Sequence, residues 1–140
     1  MTTSYKIDPA KDNKFGTTDL TSLSRFSYDY EGDEVTHGSD GQEFVGGVYV
    51  DNKRYRVTVT GSDNSITLEV GDAENLVLNA IDRANGSGAG TAGKIFTFTN
   101  AVCVSTNSVV NHDGISETQM VFVVPGKEEA GDYVDPLAVT

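Results

Sequence analysis

The feature that most narrows the fold of this chain is the period-two spacing of its large apolar residues. Tyr55, Val57 and Val59 alternate with Arg54, Arg56, Thr58 and Thr60, and Met120, Phe122 and Val124 alternate in the same way. Successive side chains on a strand point to opposite faces, so this spacing gives one buried face and one wet face and no helical stripe. Phe26, Tyr28 and Tyr30 in "SLSRFSYDY" repeat the pattern. In "KIFTFTNAVCVS" it predicts Phe96, Phe98, Val102 and Val104 on a common face.

The breaks between these runs set the expected topology. Asp51 and Asn52 interrupt "FVGGVYVDNKRYRVTVTG"; both tolerate positive φ, which predicts a tight hairpin turn there. From Asp29 to Glu43 there are six carboxylates, three glycines and no Lys or Arg, so residues 31–47 are expected to form a solvated acidic loop or hairpin tip. Residues 61–85 read two ways. Asp63 or Asp72 suits a helix N-cap, with Gly71 or Gly86 to end it, yet Ile66, Leu68 and Val70, and then Leu76, Leu78 and Ala80, also alternate as strands. One short helix is expected in this window.

Residues 1–20 carry no periodicity and are expected to form an N-terminal arm, extended or disordered. Residues 126–140, acidic and preceded by Pro125, read as an exposed C-terminal tail. The span between them, 21–125, is long enough for one core. Six or more short strands with one minor helix predict a mainly β domain, a β-sandwich or small barrel with one short flanking helix. No 20–50-residue period repeats, which argues against a solenoid.

Charge and composition restrict function. With 21 acidic and 10 basic residues the net charge is −11, the wrong sign for gripping nucleic acid through its phosphates. Cys103 is the only cysteine, so neither an internal disulfide nor a multi-cysteine zinc site is available. Neither an apolar leader segment nor a window of membrane-spanning length is present, and a soluble chain is expected.

The stretch "VVNHDGISETQMVFVV" gathers His112, Asp113, Ser116 and Glu117. A Ser-His-Asp triad needs its members held apart on a scaffold, whereas His112 and Asp113 are neighbours in a turn-forming segment. This favours a turn feeding a strand, and no catalytic residues are expected. His37 stands alone in the acidic loop. The glycines in "NGSGAGTAG" lack phosphate-binding spacing. The carboxylate segments "DYEGDE" and "SDGQE" lack the ligand positions of an EF-hand. No cofactor and no metal site are assigned.

Taken together, "FSYDYEGDE" with "SDGQ", "YRVTVTGSD", "LEVGD", "GKIFTFTNAVCVS" and "HDGISETQMVFVV" resemble the major tail tube proteins of long-tailed, siphophage-type bacteriophages over residues 26–124. The resemblance implies a β-sandwich or barrel with a flanking helix, six copies in a ring, and rings stacked through an extended loop and the terminal arms. It tips "ENLVLNAID" toward strand and moves the short helix to Asp63–Val70. It makes Glu31–Gly47 the candidate stacking loop, with Glu31, Asp33, Glu34, Asp40 and Glu43 as candidate ring-stacking or lumen acids. Six copies at −11 each bring −66 charges to one ring, enough to repel passing DNA without binding it. The implied partners are identical copies, a tape-measure protein and tail-terminator or tail-tip proteins, in a virion tail built from chains made in the host cytoplasm. A second reading is a β-sandwich decoration or adhesion module whose carboxylate loops take calcium.

Overall fold

A computed structural model gives the fold for residues 3–8, 11–37, 47–62, 68–81, 93–110 and 116–140. The strands are β1 (Thr3–Lys6), β2 (Lys14–Phe15), β3 (Thr18–Asp19), β4 (Leu23–His37), β5 (Gly47–Gly61), β6 (Ala73–Ala80), β7 (Lys94–Val110), β8 (Ser116–Pro125), β9 (Lys127–Glu129), β10 (Asp132–Val134) and β11 (Leu137–Val139). Nine of them form one antiparallel sheet, β1-β4-β5-β8-β7-β6-β2-β3 with β11 also on β7; β9 and β10 pair separately. The mainly β expectation holds, as one open sheet rather than two stacked ones.

This sheet curls until one face covers itself. Phe26, Val57, Val59, Leu76, Leu78, Phe96, Phe98, Met120, Phe122 and Val124 are all within 1% of full burial. Rings from strands that are not neighbours meet across the interior: Phe26 and Phe96 at 5.2 Å, Phe15 and Phe122 at 5.0 Å. Just past β1, Ile7 makes a single antiparallel bridge to Ala80 at the end of β6. Burying these side chains removes apolar surface from water at roughly 25 cal/mol per Å², the main force holding the curl.

Several expectations are corrected. Residues 3–8 and 11–20 are not an arm: β1 pairs with β4, β2 pairs with β6, and Ile7, Phe15 and Leu20 lie in the core. Three apolar residues separated by polar ones show no period, but a curled sheet needs such plugs at its margins. The tail reading of 126–140 is likewise replaced. Glu129 and Asp132 close a hairpin over Ala130 (φ 53°) and Gly131 (φ 86°), a two-residue turn of the kind hairpins favour, and β11 then pairs with β7.

No hairpin turn occurs at Asp51–Asn52. β5 runs straight through, and Asn52 uses its positive φ (55°) in a bulge where the β4–β5 register slips between Glu31 and Asp33. The loop expected over 31–47 is instead strand as far as His37 and again from Gly47; its centre, 38–46, lies outside the described residues. Similarly, Asn100 (φ 59°) shifts the phase of β7. Phe96 and Phe98 face the core, but beyond the bulge Ala101 and Cys103 do so, leaving Val102 half-buried and Val104 exposed. "ENLVLNA" is strand β6. Of the expected helix, 63–67 lies outside the described residues and Leu68–Gly71 leads into a turn; the described residues contain no helix.

Candidate functional site

Two ribbons extend past the body of the sheet. β4 and β5 pair out to His37↔Gly47, whereas β1 leaves β4 at Tyr28 and β8 leaves β5 at Arg54. β7 and β8 pair out to Val110↔Ser116, whereas β6 leaves β7 at Val102. One ribbon continues from the start of β5, and the other lies beyond Gly61↔Thr118 at its end, so the two leave opposite ends of the sheet. Among the described residues no strand pairs with the outer edge of β4 from Tyr30 to His37 or of β7 from Ser105 to Val110.

The first ribbon carries the candidate acids. Strand alternation puts Glu31 and Asp33 on the same face as Arg54 and Arg56, and the Asn52 bulge brings Asn52 up to Asp33. Arg54 Nε and Arg56 Nε both donate to Glu31 Oε1 at 3.2 Å. Arg54 Nη1 donates to Asp33 Oδ1 at 3.2 Å and to the Asn52 carbonyl at 3.0 Å, while Asn52 Nδ2 donates to Asp33 Oδ2 at 3.0 Å. The Asn52 and Arg54 hydrogen bonds hold the Asp33 carboxyl below its usual range. Two carboxylates thus meet two guanidiniums in one surface network, neutral as a unit. Glu34, opposite Val50, is exposed; Asp40 and Glu43 lie outside the described residues.

At the base of this ribbon an open groove of about 470 Å³ separates β5 from the β9–β10 hairpin, lined by Val50, Asp51, Lys53, Val123, Pro125 and Tyr133 among others. Lys53 Nζ sits 5.2 Å over the Tyr133 ring. Beside it the Tyr55 hydroxyl donates to both Asp135 oxygens, at 2.9 and 3.0 Å, and Asp135 also accepts the Leu137 amide at 2.9 Å. Burial and the adjacent Asp135 carboxylate push the Tyr55 phenol well above its usual value.

The stretch with His112 gives no constellation: His112 and Asp113 lie outside the described residues, and Glu117 is exposed on β8. Cys103 is buried, and that burial pushes its thiol up. Among the described residues no three His, Cys, Asp or Glu side chains group as metal ligands, and no helix is long and apolar enough to cross a membrane. The roles of Arg54, Arg56 and Asp135 escaped sequence reading. Outward charges on a strand look like solvation, and Tyr55 and Asp135 are 80 positions apart. The one available signal was the pairing of an acid-only run with the only strand bearing two alternate arginines. No protein-family model matches this chain, and no curated protein matches it.

Proposed function

We propose that the chain is a structural protein that self-assembles into stacked rings, forming a phage-type tail tube. The observation that carries this reading is the pair of ribbons, at opposite ends of one curled sheet, whose outer edges pair with no strand among the described residues. Long open edges in a stable protein invite pairing with another chain. Two different edges on one molecule make head-to-tail contacts, which close into rings or continue as filaments. The resemblance over residues 26–124 supplies the sixfold ring, the tape-measure and terminator or tip partners, and the location in a virion tail. With Glu31 and Asp33 neutralised by arginines, the repulsion that lets DNA pass rests on the chain's whole acidic excess.

Negative-stain micrographs and sedimentation of the purified protein test the proposal. Rings of about sixfold symmetry, or tubes, are expected. Placing Lys at both Ser105 and Asn107, exposed positions beside the β7 edge, should abolish assembly while leaving the melting temperature within a few degrees. A compact monomer at high concentration and in the presence of tail partners would overturn the reading. If that monomer's melting temperature rose with calcium, the chain would fall in the binding class instead.

A further inference from the structure

The outward face of β1, β4, β5 and β8 carries two parallel rows of polar side chains. Register sets Ser4 opposite Ser27 and Ser27 opposite Thr58; in the next row Lys6 lies opposite Arg25, Arg25 opposite Thr60, and Thr60 opposite Gln119. Between the rows is a hollow of about 260 Å³ whose polar lining comes from Ser4, Arg25, Ser27, Thr58, Thr60 and Gln119. Each of these side chains can donate a hydrogen bond. No carboxylate lines the hollow, in a chain with 21 acids against 10 bases.

Two cations face each other at this place. The Ile7 amide donates to the Ser24 carbonyl at 3.0 Å, which makes Lys6 and Arg25, one step along, a non-hydrogen-bonded pair, the kind whose side chains come closest. Like charges directly opposite one another destabilise a sheet. Among the described residues no carboxylate offsets this pair, whereas Arg54 and Arg56, on the same face, share Glu31. Ser27, Thr58 and Thr60 are half-buried, yet their hydroxyls bond to no other described residue.

We propose that this hollow binds a phosphate or sulfate group, either as the free ion or carried on a small molecule. Donor-bearing side chains from four strands, with Lys6 at the margin, outnumber the two oxygens of a carboxylate and suit the three or four of a tetrahedral oxyanion. The planar fork of Arg25 takes two of those oxygens, and the hydroxyls of Ser27, Thr58 and Thr60 serve the others. The bound charge also removes the repulsion between Lys6 and Arg25. One such hollow in an acidic chain does not track a nucleic-acid backbone, which needs a run of cations.

The test is equilibrium dialysis of the full chain against 32P-labelled inorganic phosphate, with ionic strength held constant by sodium chloride. One saturable site per chain is expected. Arg25→Gln should weaken it roughly tenfold, and Thr58→Val, which keeps the volume and loses the hydroxyl, several-fold, both at unchanged far-UV spectra. Lys94→Gln, which removes an exposed cation on β7 outside the hollow, should leave binding as it was. Phosphate should also raise the melting temperature of the native chain and not that of Arg25→Gln. Competition separates the two sources: glucose 6-phosphate displacing the label more tightly than inorganic phosphate supports a phosphorylated small molecule, and displacing it more weakly supports the free ion. No saturable binding, equal binding by Arg25→Gln, or a stabilisation matched by chloride at equal ionic strength would each overturn the proposal.

Discussion

Arg54 is the residue on which the ribbon surface turns. It holds Glu31, Asp33 and the Asn52 carbonyl at once, through a planar donor fork that lysine cannot reproduce. Exposed ion pairs contribute little singly, but this one acts with Asn52 to favour the ionised form of its partner. The Asp33 carboxyl is lowered, first by Asn52 and then by Arg54, so its share of ribbon stability is present above the usual carboxylate range and is lost as pH falls through the lowered value. In Arg54→Ala the Asp33 pKa, followed by carboxyl-carbon NMR, is expected to move up toward the ordinary range. An unmoved titration would show that Asn52 alone sets it. Sequence reading had singled out Glu31 and Asp33 as unopposed acids; register, which no local pattern encodes, gave them partners.

Elements are bent by residues that sit at positive φ. Asn52 and Asn100 each admit an extra residue into a long strand, and each reverses which face the following side chains take. At Asn100 the N–H is held by Asn75 Oδ1 at 3.1 Å, and the phase shift is what buries Ala101 and Cys103 in place of Val102 and Val104. Left-handed backbone suits Gly, is tolerated by Asn and strains Ala, so Asn100→Gly should hold the denaturation midpoint while Asn100→Ala costs about 1 kcal/mol. Equal midpoints for the two variants would deny the bulge its conformational role. The inward residues of 55–59, 76–80 and 120–124 were legible because no bulge interrupts those stretches. The asparagines were legible as turn formers, but a turn and a bulge ask the same φ of them.

At the scale of the molecule, the C-terminal segment completes the sheet. When β8 ends at Pro125, β7 loses its partner, and after the β9–β10 excursion β11 returns to cover Phe96, Thr97 and Phe98. Thr140 and Ile95 exchange backbone hydrogen bonds at 2.9 and 3.0 Å, and Tyr55 fastens the segment through Asp135. A chain ending at Pro125 is therefore expected to melt at lower temperature and to scatter light on heating, because a hydrophobic stretch of β7 gains a bare edge. A truncated chain as stable and monodisperse as the full one would refute this. By itself the sequence determined the β class, the inward residues of uninterrupted strands and the acidic surplus, since alternation and charge are properties of neighbouring residues. Only the tertiary structure decided that both termini join the sheet, that the acid-only run meets Arg54 and Arg56, and that Tyr55 meets Asp135. Those pairings, 23 and 80 positions apart for Arg54–Glu31 and Tyr55–Asp135, exist because one sheet curls far enough to bury its own face.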